Sequence, residues 1–220
     1  MFIGHFAPAL VAAARPQAAG LGTLFVAAQL VDIGFAALLI PEVEAMRIVP
    51  GITAMNPMDL YHMPYTHSLA GALLWSLLFC ALVWVATRRR AAAIGAALVV
   101  VSHWFTDLLV HIPDLTLLGT PPKLGLGLWN QPAIAMPLEI ALIGGALFYY
   151  KVRTRAPAGD IRFWILVALL TVAQAIDWFG PKEPVYSLAI PATMLGAYAV
   201  LALTAAWAGA NRQIMPPASH

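Results

Sequence analysis

Charged side chains are scarce in this chain. Only 10% of its 220 residues are Asp, Glu, Lys or Arg, against about a quarter in soluble domains. The net charge of +2 is too small to predict a nucleic-acid surface, and the basic residues stand in short clusters beside apolar runs. With 61% hydrophobic residues and a mean hydropathy of +0.81, the composition excludes an ordinary soluble enzyme and predicts an integral-membrane protein.

Cysteine is nearly absent too. Cys80 is the only one, which excludes an intrachain disulfide. The first ten residues, MFIGHFAPAL, lack the basic start of a secretory signal peptide and contain a histidine and a proline, so we expect no such peptide there. What the sequence does contain is a series of apolar segments separated by short loops rich in Pro, Gly or Arg.

The apolar segments predict the fold class. Crossing a hydrocarbon layer ~30 Å thick takes about 20 helical residues, and most of the chain lies in segments near that length. We predict an all-α, polytopic transmembrane helix bundle that forms one integral-membrane domain over residues 1–220. The number of spans is six or seven, because the first segment is short for a full crossing. The predicted spans lie near 2–14, 19–40, 67–87, 91–112, 132–150, 162–180 and 186–209.

The basic loops predict an orientation, because Lys and Arg in short loops mark the cytoplasmic side. Residues 88–90 are three arginines, and the basic cluster over 151–162 follows two helices later, on the same side. By this rule nine Lys and Arg residues lie inside and three outside. We therefore predict a multi-pass protein of a bacterial inner membrane with a cytoplasmic C-terminus, in contact with membrane lipids.

Nearly all intramembrane ionisable groups fall in the outer half of this arrangement. They are His5, Asp32, His62, His67, His103, Asp107, His111, Glu139 and Asp177. A charge inside the membrane costs about 2.5–3.5 kcal/mol on insertion scales. Because a shared polar site would supply partners or water to several charges at one depth, we expect these groups to face one another.

The fourth span has the clearest pattern. His103, Asp107 and His111 are four residues apart and Asp114 is three further on, so all four lie along one helical stripe. An imidazole and a carboxylate at positions i and i+4 can bind one divalent metal together. The pattern H-x-x-x-D therefore predicts a metal site, although by itself it is a common pattern.

The tripeptide Thr66-His67-Ser68 opens the third span. Thr66 or Ser68 can cap that helix, which places His67 at the same outer cavity. The candidate metal ligands are then His5, Asp32, His62, His67, His103 and Asp107. A mixture of imidazole and carboxylate suits zinc, with manganese or iron as alternatives.

Three motifs resemble one known family. Gly4-His5, H-x-x-x-T-H-S at 62–68 and S-H-x-x-x-D-x-L at 102–109 follow one another in this order. Through these motifs, roughly the first 130 residues resemble the bacterial inner-membrane metal-dependent hydrolases. That family is described also as LexA-binding membrane-associated hydrolases. The resemblance implies five metal or active-site residues, which are His5, His62, His67, His103 and Asp107.

The chain also departs from that family's pattern. Met63-Pro64 replaces an Arg-Gly pair. The family's acidic P-D-x-D-H box after the second helix is absent, unless Asp32 stands in for its first aspartate. A second metal or a contact to a substrate phosphate is therefore either missing or supplied by other residues.

Together these observations predict a metal-dependent hydrolase. One or two divalent metals, zinc by preference, would activate a water molecule, and Asp32 or His111 would act as general base. A site at the membrane boundary favours a lipid or another amphipathic ester, phosphoester or amide as substrate. The sequence does not choose the bond or the oligomeric state.

Other functions use the same residues. A proton- or cation-coupled transporter or channel could line its path with the intramembrane His, Asp and Glu residues, including Glu139 and Asp177. Against it, the cytoplasmic half has few polar residues to continue such a path. A histidine-rich iron oxygenase and a structural protein with helix-pairing polar groups are further alternatives. His62 lies between Tyr61 and Tyr65, a setting that also suits an interfacial loop.

Overall fold

The computed structural model describes residues 1–215, and within them the chain is an all-α helix bundle. The eight α-helices of this part are α1 (Phe6–Ala13), α2 (Leu21–Ala28), α3 (Leu30–Leu39), α4 (Leu69–Thr87), α5 (Arg90–Val110), α6 (Pro132–Arg153), α7 (Ile161–Phe179) and α8 (Ala189–Gly209). Short 3-10 turns, Ile3–His5 and Leu128–Asn130, precede α1 and α6. The predicted fold class is thus confirmed.

Five helices, α4 to α8, are long and apolar enough to cross a membrane, with mean hydropathies of 1.5 to 2.3. The pair α2 and α3 counts as a sixth span if it crosses as one bent segment. These features make the chain a multi-pass membrane protein. The first apolar segment, Ile3–Ala13, is shorter than a span and is packed inside the bundle, where Phe6, Ala9 and Leu10 are at most 1% exposed.

The predicted second span, 19–40, contains a sharp bend. The structure divides it into α2 and α3, which meet at Gln29 at an angle of 54°. Just before the break, the Ala28 carbonyl accepts a hydrogen bond from the His103 ring nitrogen Nδ1 (2.8 Å). A side chain that bonds a helical carbonyl is a common cause of a kink. The sequence has neither Pro nor Gly at this position, so no local residue predicts the kink.

Helix α4 shows how the bundle meets lipid. Its N-cap is Ser68, whose Oγ accepts from the Gly71 amide (3.0 Å), and it ends at Arg88 in a left-handed conformation (φ 57°). Its buried residues recur three and four apart: Ala72, Ser76, Phe79 and Val83. Its other face exposes leucines by 58–66%: Leu74, Leu77 and Leu78. In a membrane protein such a face contacts lipid.

The loops form small sheets that the sequence analysis did not predict. All three are two-stranded and antiparallel: β1 (Ala45–Ile48) with β2 (Met58–His62), β3 (Leu115–Thr116) with β4 (Lys123–Leu124), and β5 (Thr154–Arg155) with β6 (Gln213–Ile214). The first two pairs and the turn at 128–130 lie in the loops at the ends of α3 and α5, and we call this end of the bundle the site end. Pairing of the loop backbones satisfies amides and carbonyls that an apolar bundle cannot.

The opposite end of the bundle is held by an ion cluster. Asp160 accepts from Lys151 Nζ (2.9 Å) and from Arg212, whose side chain is 3% exposed. Hydrogen bonds from Lys151 and Arg212 hold the pKa of Asp160 below its ordinary value. The cluster therefore ties the end of α6, the start of α7 and the segment after α8 together.

Candidate metal centre

Four different parts of the chain bring ionisable side chains together beneath the site end. His5 belongs to the turn before α1, Asp32 to α3, His67 to the loop before α4, and His103, Asp107 and His111 to α5 and its end. The four histidines and Asp107 are each 1–3% exposed. Such burial is costly for polar groups unless they have strong partners.

Asp107 lies at the centre of this cluster. Its Oδ1 is 3.0 Å from His5 Nε2 and 3.5 Å from His111 Nε2. Its Oδ2 is 3.0 Å from His103 Nε2 and 3.7 Å from His67 Nε2. Each oxygen of this single carboxylate thus faces two imidazole nitrogens.

Asp32 supplies a second carboxylate. Its Oδ1 is 3.2 Å from His67 Nε2 and 3.5 Å from His103 Nε2. Its Oδ2 accepts a hydrogen bond from the Tyr198 hydroxyl (2.9 Å), which orients the carboxylate from α8. Asp32 therefore joins the cluster on the side where His67 and His103 meet.

The other ring nitrogen of each histidine contacts oxygen. His103 Nδ1 donates to the Ala28 carbonyl (2.8 Å), because a carbonyl can only accept. His5 Nδ1 is 2.6 Å from Thr106 Oγ1. Since the Thr106 hydroxyl donates to the His103 carbonyl (2.8 Å), it is free to accept from His5.

The remaining two histidines are held in the same way. His67 Nδ1 is 2.8 Å from Thr66 Oγ1, and the Thr66 hydroxyl donates to Glu44 Oε2 (2.6 Å). His111 Nδ1 is 2.8 Å from Asp114 Oδ1. Where Nδ1 is the donor, as the Ala28 carbonyl requires of His103, a neutral ring carries the lone pair on Nε2, the nitrogen that faces Asp107.

This arrangement fits a divalent metal ion. A lone pair on Nε2 and a carboxylate oxygen are both acceptors, so they need a cation or a proton between them. In the part of the chain that the structure describes, His5 Nε2, His103 Nε2 and Asp107 Oδ2 are buried without a hydrogen-bond partner. Tetrahedral ligands at zinc distances of 2.0–2.2 Å are separated from one another by about 3.3–3.6 Å, close to the separations of 3.0–3.7 Å found here.

Among the residues that the structure describes, two groups of three have ligand atoms within 4.8 Å of one another. One is His5, His103 and Asp107; the other is Asp32, His67 and His103. Each group could hold a metal ion, and both use His103. Imidazole and carboxylate ligands are accepted by zinc, manganese and iron.

His62, a sixth candidate ligand, is not brought into this cluster. It is an exposed residue of β2, paired with Ala45 of β1. The chain passes through the turn at 63–66 before it reaches His67, and this separates the two histidines. Of these two histidines, which are five residues apart, only His67 therefore joins the cluster around Asp107.

Three residues important to the geometry were not predicted from the sequence. Glu44 is 1% exposed and accepts from the amides of Tyr65 (2.7 Å) and Thr66 (2.9 Å) as well as from the Thr66 hydroxyl. Thr106 and Tyr198 support His5 and Asp32, respectively. No local pattern marks a lone glutamate in a loop or a tyrosine in an apolar helix as a partner of a histidine cluster.

Glu139, whose role the sequence left open, holds the turn that carries His5. Its Oε1 accepts from the amides of Phe2 (2.6 Å) and Gly4 (2.9 Å). Gln174 Oε1 accepts from the Ile3 amide (3.1 Å). A Cβ atom at Gly4 would lie 2.3 Å from Met1 Sδ and 3.4 Å from Glu139 Cγ, so a larger residue there would displace the Met1 side chain.

The fold and the site together define a class: a multi-pass membrane protein with a buried His/Asp cluster that could bind a metal ion. Comparison with known proteins found no matching family model, no matching curated protein and no matching solved structure.

Proposed function

We propose that this chain is a membrane-embedded, metal-dependent hydrolase, with zinc as the metal, that acts on a lipid or another amphipathic ester, phosphoester or amide. The observation that carries the proposal is the convergence of four histidine Nε2 atoms on the carboxylate of Asp107, with each Nδ1 bonded to oxygen. The resemblance of its motifs to the bacterial inner-membrane hydrolases agrees with it. The proposed location is the inner membrane of a bacterium, with the C-terminus in the cytoplasm.

The proposed ligands are one of the two groups of three that share His103, either Asp32, His67 and His103 or His5, His103 and Asp107. His5 Nε2 faces Asp107 Oδ1, and His5, His103 and Asp107 form the second of these groups. A divalent ion bound there would lower the pKa of a water molecule toward ~7 and polarise the bond to be cleaved.

The surrounding residues would prepare the ligands. Thr66, Thr106 and the Ala28 carbonyl hold three rings in the tautomer that leaves Nε2 free, a role in which such partners typically affect metal affinity 10–100-fold. The Tyr198 hydroxyl donates a hydrogen bond to Asp32 Oδ2, the oxygen opposite the one that faces His67 and His103. These contacts would preorganise the centre before any ion arrives.

His111 is the proposed general base. It lies outside both groups of three, lines the adjacent cavity, and its Nδ1 is bonded to Asp114. Its Nε2 could therefore accept a proton at the cavity while the Asp114 carboxylate stabilises the ring. Asp32, the other candidate base from the sequence, is assigned to the ligands instead because its Oδ1 faces two imidazoles.

Metal content measured by mass spectrometry on the purified protein tests this proposal. We expect stoichiometric zinc in the parent protein and its loss in His103→Ala and in Asp107→Ala. His62→Ala is the matched control and keeps its zinc, because His62 is exposed and outside the cluster. Hydrolysis of ester, phosphoester and amide amphiphiles should disappear with the metal.

Absence of metal from every sample, even after reconstitution with zinc, manganese and iron, would overturn the proposal. Proton or cation flux through Asp32 and Glu139 would then be the function to assay. Zinc that remains stoichiometric in His103→Ala would refute the assignment of the ligands.

A further inference from the structure

A cavity of about 550 Å³ opens directly onto the metal centre. Asp32, His67, Asp107 and His111 line its inner end. Its volume falls within the range of about 300–1,000 Å³ that is usual for small-molecule sites. A substrate in this cavity would therefore meet the ligands without a rearrangement of the helices.

The rest of the cavity is largely apolar. The loop between β1 and β2, with strand β2, covers one side, and helices α7 and α8 form another. Among the apolar lining residues are Phe35, Met55, Met58, Leu60, Ile190 and Met194. Methionine side chains adapt to flexible apolar ligands, so this lining suits an alkyl chain.

The cavity also reaches the lipid-facing surface. Ile176 of α7 lines it, yet 64% of this residue is exposed. One turn further along, Phe179 is 75% exposed, and Leu188, just before α8, is 60% exposed. A chain from the adjacent lipid leaflet could therefore enter between the site ends of α7 and α8.

The charges that line the cavity disfavour an anionic headgroup. Five lining residues carry a carboxylate: Asp32, Asp107, Glu139, Asp177 and Glu183. Two lining residues carry an ammonium group: Lys182, on its side chain, and Met1, at the N-terminus. Among the residues that the structure describes, no arginine lines the cavity. Lys182 Nζ already donates to the Asp177 carbonyl. Phosphate sites usually use Arg or several Lys residues, and the described lining offers neither.

We propose that the cavity binds a single-chain amphiphile with an uncharged or amine-bearing head, and that its carboxylic ester or amide bond is presented to the centre. This inference rests on the proposed function and narrows its substrate class by excluding a phosphoester. The reaction consumes one water, breaks the acyl C–O or C–N bond, and releases a carboxylic acid with an alcohol or amine that takes up the proton.

Native mass spectrometry of the zinc-reconstituted protein tests the inference, because one spectrum reports bound zinc and bound ligand separately. The probes share a dodecyl-length chain: N-(2-hydroxyethyl)dodecanamide, dodecylamine and dodecyl phosphate. We expect one molecule of the amide or the amine to bind at least about tenfold more tightly than the phosphate, a difference of about 1.4 kcal/mol.

Two variants locate the bound chain. Met194→Trp fills the cavity and should remove ligand binding while zinc stays bound; Ile190→Trp is a second such variant if the first fails to fold, which loss of zinc would reveal. Leu203→Trp is the matched control and should bind like the parent, because Leu203 is 71% exposed on the lipid side of α8.

Equal or tighter binding of dodecyl phosphate would overturn the inference, and so would unchanged amide binding in a zinc-loaded cavity-filled variant. Absence of zinc from every sample together with cavity-dependent binding of the amide would instead refute the proposed function and leave the amphiphile site supported.

Discussion

The hydroxyl of Thr66 is a sensitive test of the centre, because it connects a proposed ligand to a buried carboxylate. It is 2.8 Å from His67 Nδ1 and donates to Glu44 Oε2 (2.6 Å), and Thr66 is fully buried. The variant Thr66→Val keeps the size and branching of the side chain but removes both contacts. His67 then loses the acceptor that selects its tautomer.

Loss of such a supporting contact lowers metal affinity about 10–100-fold, which corresponds to about 1.4–2.8 kcal/mol. The variant should also lower the free energy of unfolding by about 1–3 kcal/mol, because a buried acceptor loses its partner. Glu44 Oε1 keeps its hydrogen bonds from the amides of Tyr65 and Thr66, so Oε2 is the carboxylate oxygen that loses its donor. The loss of stability should appear in the metal-free protein as well, whereas the affinity change is specific to the ion.

Zinc affinity is measured by competition with a fluorescent chelator, with the protein in lipid nanodiscs and His103→Ala as the variant without a centre. Thr171→Val is the matched control: Thr171 is exposed on α7, and its hydroxyl donates to the Val167 carbonyl within its own helix. Wild-type affinity in Thr66→Val, alongside a clear loss in His103→Ala, would refute the tautomer argument for His67.

Two further predictions concern contacts at each end of the bundle. Tyr198→Phe should weaken zinc binding about tenfold or more, because it removes the donor that orients Asp32; unchanged affinity would contradict the orienting role of Tyr198. Asp160→Asn should lower the free energy of unfolding by about 0.5–1 kcal/mol at pH 7, a value limited by the partial exposure of Asp160. Because its pKa in the folded protein lies below the ordinary 3.8, this stabilisation is complete above that value and is lost as the pH falls further below it. The difference in unfolding free energy between the parent and Asp160→Asn, measured by thermal unfolding, should therefore disappear only at acidic pH. A difference that stays constant over the whole pH range would contradict the role of the Asp160 charge.

Local sequence patterns were reliable where local interactions decide the structure. The long apolar helices α4 to α8 begin and end within a few residues of their predictions, because a helix in an apolar setting must satisfy its own backbone. The stripe of His103, Asp107 and His111 also keeps its predicted spacing, although α5 ends at Val110 and His111 follows in an extended conformation. His111 Nε2 nevertheless lies 3.5 Å from Asp107 Oδ1.

Features that depend on a distant contact could not be predicted from the local pattern. The apolar run over 19–40 has the composition of one span, but the bond between Ala28 and His103 accompanies a break there. Conversely, His62 and His67 share one motif, yet the strand pairing of β2 leaves His62 in solvent. Glu44 carried no signal, because its partner Thr66 lies 22 residues away.

By itself, the sequence determined the membrane class, the helical bundle and the polar residues that had to find partners, because hydropathy and helical period are properties of neighbouring residues. Only the tertiary structure decided which of those polar residues meet. His5, Asp32 and His67 reach Asp107 or His103 from separate segments, and Tyr198 reaches Asp32 across 166 positions of the chain. Packing of α1, α3, α5 and α8 creates these contacts, and packing depends on the shapes of all the helices together rather than on any one stretch of residues.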